Sequence, residues 1–276
     1  MMNTAADPQS TEMSYIGQGI LKGELVVKTG LHIGAGKDVI EIGGIDNPIV
    51  KTPTGDPYVP GSSLKGKLRF LMEWAFGCID KSTFGAWQGE PGDDGIILRP
   101  ANVIPRTFGT SADADAWKAG PTRILVRDAM LNKQWRRMWL GEGRELAEAK
   151  TEVRINRIAG KAADGGLHTA ERVPPGARFD FEAAFRVYSV GDDAGESDLK
   201  CLAWAIQGLD LLEQDALGGS GSRGYGRIAF EGMTLTAPGD SDVVQLDNIR
   251  KGHAFSREAP PPAILTAVRQ AFGRAG

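Results

Sequence analysis

Cysteine and histidine are scarce. The chain has 276 residues but two cysteines, Cys78 and Cys201, and three histidines, His32, His168 and His253. No CxxC pair occurs, so neither a structural zinc site nor a disulfide scaffold is expected, and a reducing cytoplasm suits the composition. No apolar run approaches the length needed to cross a bilayer, so no membrane partner is expected. A strong charge of either sign is also missing. The formal net charge is -3, so any nucleic-acid surface must come from local clusters of Lys and Arg. Met1 to Ser14 has no apolar stretch behind a basic start and reads as part of a flexible tail, residues 1–15.

What is present is ordinary for a chain with a sizeable core: 41% hydrophobic and 24% charged residues. Ile20 to Lys28 reads as a strand, followed by a glycine-rich loop from Thr29 to Pro48. Pro60-Gly61-Ser62-Ser63 opens a helix that Ser62 or Ser63 caps, with Leu64, Leu68, Leu71, Met72, Ala75 and Phe76 on one face. Residues 77–121, with Trp87 and Trp117, read as an insertion carrying one or two short strands. Arg123 to Asp128 is strand-like, and Trp135 to Lys150 suits either a helix or a loop.

Residues 150–178 read as an exposed β-hairpin with a glycine-rich tip near Asp164-Gly165-Gly166. Arg178 to Val190 alternates as a half-buried strand does. Ser197 to Gln214 is a second helix, and Arg227 to Leu235 a further strand. Residues 238–276 form a C-terminal extension, in which Ile264, Leu265, Val268 and Phe272 give a helix face suited to neighbouring subunits. This order, within a main domain of residues 16–237, suits an α+β, ferredoxin-like core with helices on one face of an antiparallel sheet.

Four groups of residues bear chemistry. In LGGSGSRGYG, the glycines Gly218, Gly219, Gly221, Gly224 and Gly226 let the backbone approach a phosphate. Arg223 offers a bidentate contact and Tyr225 a stacking face for a base; alternatively the segment is a plain helix-to-strand connector. At the helix start, Ser62, Ser63, Lys65, Lys67 and Arg69 surround free N–H groups, with Lys65 and Arg69 spaced to hold successive phosphates; a solvated helix face is the alternative. Between Arg123 and Arg178, twelve Lys and Arg stand against seven Asp and Glu. Arg154, Arg157 and Arg172 of that stretch are candidate RNA contacts; ordinary surface charge is the alternative. In the first glycine-rich loop, Asp46 lies in GGIDNP, placed to hold a divalent cation or orient a 2′-hydroxyl, or else simply to cap a turn. Asp38 and Glu41 are plausible second carboxylates, and a lone His32 is commonly a hydrogen-bonded structural residue.

Five segments occur in a specific order: TGLHIGAG; IGGIDNPIVKTPTGDPYVPGSSLKGKLR; ILVRDAML; TEVRINRIAGKA with ERVPPGARFDFE; and LGGSGSRGYGRIAFE. From about Ile20 to Glu231 the chain resembles the RAMP superfamily, specifically the backbone subunits of type III-A (Csm) CRISPR effector complexes. The resemblance implies a ferredoxin-like palm with an extended hairpin thumb. It implies a helical filament of copies on one CRISPR guide RNA, with each thumb wedged beneath a flipped-out nucleotide. Asp46, matching the family's I-D-[NS]-P segment, is then the residue that cuts complementary target RNA, with a divalent cation, Mg2+ or Mn2+. His32 is then associated with the guide. The expected partners are both RNAs, further copies, a large polymerase-like subunit, small subunits and guide-end RAMP subunits. Two other readings compete: a non-catalytic guide-binding scaffold, and a small-molecule enzyme using the glycine-rich loops. Precursor-guide processing by His32 fits the Asp-loop pattern less well.

Overall fold

The computed structural model describes residues 12–36, 45–82, 85–110, 117–237 and 243–274. In chain order the elements are β1 (Met13–Val27), β2 (Tyr58–Val59), α1 (Gly61–Phe76), α2 (Pro100–Phe108), β3 (Ile124–Val126), β4 (Ala129–Leu131) and α3 (Lys133–Gly141). There follow β5 (Glu148–Asn156), β6 (Lys161–Arg172), β7 (Arg178–Val190), α4 (Glu196–Gln214), β8 (Ile228–Thr236), β9 (Val244–Gln245) and α5 (Pro262–Ala271). The architecture is mixed α and β, with two antiparallel sheets. One has the order β2-β4-β7-β1-β8-β9, with β3 also on β7; the other is the β5–β6 hairpin.

The centre of the large sheet follows from period-two patterning. Phe179, Phe181, Ala183, Phe185 and Val187 stand at alternate positions of β7, and all are buried. β1 pairs with β7 from Met13↔Val190 to Val26↔Arg178. Its pairing with β8 slips between Lys22 and Glu24. A Cβ at Gly23, inside that slip, would lie 2.4 Å from Met233 Sδ, so only glycine lets the strands approach there.

Helices α1 and α4 cover one face. Leu64 and Leu68 of α1 and Leu209 and Leu212 of α4 meet Leu21, Phe181 and Phe230 of the sheet. Each such buried side chain contributes roughly 1.5–3 kcal/mol. The other face carries an ion-pair chain, with Arg178 bound to Glu24 at 2.5 Å and to Glu231 at 3.1 Å, and Lys28 bound to Glu231 at 2.7 Å.

Several local expectations change. Met13 to Tyr15 are strand, because β7 is long enough to pair with them; residues 1–11 lie outside the described residues. Among the described residues, segment 77–121 holds no strand but the helix α2, whose Pro100 occupies the first helical turn. Its Val103, Ile104 and Phe108 are buried. Neither Ser62 nor Ser63 caps α1, since both lie inside it; Asp128 Oδ1 accepts the Gly61 N–H at 2.8 Å instead. The hairpin turns at Arg157 to Gly160, not at Gly165-Gly166. Asn156 Oδ1 accepts the N–H groups of Ile158 and Ala159 at 3.0 Å, while the two glycines lie within β6 opposite a register slip. The apolar face of α5 packs inside the chain: Ile264 and Val268 are wholly buried, and Leu265 and Phe272 lean on the same core. It is therefore not a free surface for neighbouring subunits.

Candidate nucleic-acid interface

Asp46 is exposed and is tied to the hairpin. Its Oδ2 accepts the Thr169 N–H at 2.9 Å. The backbone beside it runs along β6, with Asn47 N–H donating to Thr169 O at 3.3 Å and Glu171 N–H donating to Asn47 O at 2.9 Å. Glu171 is buried, and its carboxylate accepts the Ile49 N–H at 3.0 Å and pairs with Lys51 at 2.5 Å. Ile49 is itself a core residue. The carboxylate of Asp46 thus stands in solvent on a peptide whose next residues are fastened to the root of the hairpin.

His32 joins three segments. Its Nδ1–H donates to Glu171 O at 2.6 Å. Its own carbonyl accepts the Gly219 N–H at 2.8 Å. Gly218 has φ +78°, and a Cβ there would lie 2.2 Å from that carbonyl. No side chain fits, so the second glycine-rich loop closes on the first. Gly226 N–H donates to Gly30 O at 3.0 Å and makes a second tie between the two loops. Gly221 begins a short 3-10 turn that ends at Arg223, and Gly224 follows it in the left-handed region.

Arg223 is exposed, with Nη2 donating to Ser220 Oγ at 2.6 Å and Nε 3.5 Å from Glu152 Oε2 on β5. With Arg154, His168, Gly165 and Gly166 it lines a surface depression between loop and hairpin. Arg154 and Arg157 are exposed along the hairpin, beside the exposed apolar side chains Val153, Ile155, Ile158 and Leu167.

Four predicted RNA contacts are occupied by the protein itself. Tyr225 is buried, with Lys150 Nζ 4.5 Å and the Arg172 guanidinium 5.1 Å from its ring centroid, so the ring braces the hairpin root and has no open face for a base. Arg172 donates Nε–H to Glu148 at 2.6 Å. Arg69 donates to Glu73 at 2.8 Å, Gly109 O at 3.1 Å and Trp87 O at 2.6 Å, and so anchors the 77–121 segment instead of a phosphate. Lys67 is 2.8 Å from Asp215. Lys65 is half-buried; that burial, then the charge of Arg69, holds its pKa below the usual lysine value. No hydrogen bond or ion pair among the described residues links Ser62, Ser63, Lys65, Lys67 or Arg69 to Asp46, Thr169, Glu171 or His32.

Both glycine-rich loops and the hairpin fall within the stretch that matches a known family. Residues 24–229 fit the pattern of the RAMP superfamily. The chain belongs to the RAMP superfamily. A relative in Methanothermobacter thermautotrophicus, named CRISPR system Cms endoribonuclease Csm3, is 40% identical over 230 residues, covering 78% of this chain and 84% of that one. Proteins of the same name in Methanocaldococcus jannaschii and Streptococcus thermophilus are each 37% identical, over 79% and 82% of this chain and 81% and 93% of theirs. A solved Csm3–Csm4 subcomplex of the type III-A CRISPR-Cas interference complex is similar at 28% identity, with TM-score 0.48 and 81% of each chain covered.

Sequence patterning missed several residues of this candidate site. Thr169 acts through its backbone and leaves no side-chain signal. Glu171 looks like one more charge on a polar hairpin, and only the two-residue alternation of β6 would place it on the same side as Thr169. Glu152 is inconspicuous for the same reason. The chemistry of the donors bears on a metal. Among the described residues no three His, Cys, Asp or Glu side chains form a metal cage, and Asp38 and Glu41 lie outside the described residues. Asp46 presents an open carboxylate oxygen at the hairpin root. That suits a hard cation shared with substrate phosphates, as Mg2+ commonly is, and not a resident protein-only site. Among the described residues no helix is long and apolar enough to cross a membrane.

Proposed function

We propose that this chain is a backbone subunit of a type III CRISPR effector complex, binding guide RNA along a filament of copies and cutting complementary target RNA at regular intervals through Asp46. The observation that carries the reading is an exposed carboxylate held by Thr169 at the root of a basic hairpin. Relatives at 37–40% identity named endoribonuclease support it. In this reading β1, α1, β3 with β4, β7, α4 and β8 form a ferredoxin-like palm, and β5–β6 is the thumb. The exposed Val153, Ile155, Ile158 and Leu167 give the thumb an apolar wedge, while Arg154, Arg157 and Arg223 meet phosphates.

Cleavage follows from what a displaced nucleotide allows. Freed from stacking, its 2′-hydroxyl reaches in-line geometry on the adjacent phosphorus. The O2′–P bond forms as the P–O5′ bond breaks. The 2′ proton leaves to a base, O5′ gains a proton, and the products are a 2′,3′-cyclic phosphate and a 5′-hydroxyl. Asp46 orients that 2′-hydroxyl and takes its proton. A divalent cation, Mg2+ or Mn2+, would be held by Asp46 and would supply charge stabilisation at the phosphate. The complex works in the cytoplasm with further copies, a large polymerase-like subunit, small subunits and guide-end RAMP subunits.

The test is a purified guide-loaded complex given end-labelled complementary RNA. The wild type yields regularly spaced products with cyclic phosphate ends, and Asp46→Ala yields an intact complex without them. Unchanged cleavage by Asp46→Ala overturns the catalytic reading and leaves a scaffold. An absorbance spectrum without nucleic acid in the purified assembly overturns both.

A further inference from the structure

We propose that Glu171 is the positioning residue for Asp46: its buried carboxylate fastens the Asp46 peptide to the thumb, so that the cutting group and the wedge move as one body. The inference rests on the reading of Asp46 as the cutting residue. Glu171 is the one charged side chain of β5 and β6 that is buried, 7% exposed. Packing alone would favour an apolar residue there, since an ionised carboxylate loses its hydration on burial. The compensation is specific. Oε2 accepts the Ile49 N–H at 3.0 Å, and Oε1 pairs with Lys51 Nζ at 2.5 Å. The backbone of the same residue donates to Asn47 O at 2.9 Å and accepts from His32 Nδ1 at 2.6 Å.

One residue therefore touches positions 47, 49 and 51, immediately after Asp46, together with the histidine of the first glycine-rich loop. Two positions earlier on the same strand, Thr169 N–H holds the Asp46 carboxylate itself. Removing the Glu171 acceptor leaves the Ile49 N–H buried without a partner, and the peptide must shift to satisfy it. A displacement of about 1 Å at a reacting group costs on the order of 10²-fold in rate.

The experiment compares Glu171→Met, which fills the volume without an acceptor, with Glu171→Gln, which keeps an amide oxygen for Ile49. Both are read in the guide-loaded complex by single-turnover target cleavage and by target affinity, beside wild type and Asp46→Ala. Glu171→Met is expected to cut about 10²-fold more slowly at unchanged target affinity, and Glu171→Gln to recover most of the wild-type rate. A wild-type rate in Glu171→Met, or equal slowness in both variants, overturns the positioning role. If Asp46→Ala itself cuts normally, the reading of Asp46 fails. Hydrogen exchange at the Ile49 amide of the full chain gives a second readout that needs no complex. Faster exchange in Glu171→Met with protection kept in Glu171→Gln supports the role, and equal protection in both overturns it.

Discussion

The amide of Thr169 donates to the carboxylate of Asp46 across 2.9 Å, joining residues 123 positions apart in the chain. A carboxylate in a glycine-rich loop acquires a fixed orientation only because a hairpin strand passes beside it.

That relationship separates two substitutions at one position. Asp46→Asn keeps an oxygen for the Thr169 N–H but is a far weaker base. Asp46→Ala removes both functions. Cleavage of complementary RNA falls by roughly 10²–10⁴-fold in Asp46→Asn, with the loop unmoved. In both variants the complex assembles at wild-type yield, as size-exclusion chromatography would report.

Arg154 and Arg157 project from the hairpin into solvent, so each is expected to neutralise one phosphate. Replacing both with Ala should make the slope of log Kd against log salt shallower by about 1.4, at about 0.7 per phosphate contact on a single strand. An unchanged slope in a filter-binding titration would remove the hairpin from the RNA path.

Tyr225 serves the hairpin root and not a base. Tyr225→Phe preserves the ring beneath Lys150 and Arg172 and should melt with the wild type. Tyr225→Leu should lose roughly 1–2 kcal/mol, the scale of two partly desolvated cation–π contacts. Urea unfolding of the purified chain distinguishes the cases. A stacking role predicts the opposite outcome: weaker RNA binding at unchanged stability.

Asp198 is wholly buried between Arg106 and Arg123, 2.6 Å and 2.7 Å away, and it also accepts the Tyr188 N–H at 2.8 Å. It binds α2 and β3 to the start of α4. Asp198→Asn leaves the buried Arg123 guanidinium without a counter-charge and Arg106 with only Asp193, 3.7 Å away, and should destabilise the chain by roughly 3–5 kcal/mol. The fall in urea midpoint measures it.

Acid should weaken the fold at two carboxylates. Burial pushes Asp193 up, but the N–H groups of Val190, Gly195 and Ser197 and the Ser197 hydroxyl outweigh it and hold its pKa below the usual value. Burial likewise pushes Glu213 up, and Lys251, the Phe230 N–H and Arg250 outweigh it. A lowered folded pKa means that the unfolded chain binds more protons, so this stability is complete above about pH 5 and is lost as pH falls through the unfolded and then the folded values. Urea midpoints measured from pH 7 downward should drop in that window, and less steeply in Asp193→Asn.

The central elements were legible because burial writes itself into spacing. Alternate apolar residues marked β7, and the face from Leu64 to Phe76 marked α1. Segment 77–121 was harder, because α2 is nine residues long and buries an arginine, which no apolar periodicity reveals. The hairpin tip was misplaced because Asp164-Gly165-Gly166 carries stronger turn chemistry than Arg157 to Gly160; the turn is instead set by the Asn156 side chain and the β5–β6 register.

By itself the sequence determined the central elements β1, α1, β7, α4 and β8, the two glycine-rich loops, and the peptide on which Asp46 sits. Local propensity and the periods of strand and helix act within a few residues of chain, and they can be read there. Only the tertiary structure decided that Thr169 and Glu171 hold the Asp46 peptide, that Tyr225 and Arg69 face inward, and that Asp198 lies between two arginines. Those pairings join residues that are far apart in the chain but neighbours in space. Strand order and register choose them, and neither is expressed in local spacing.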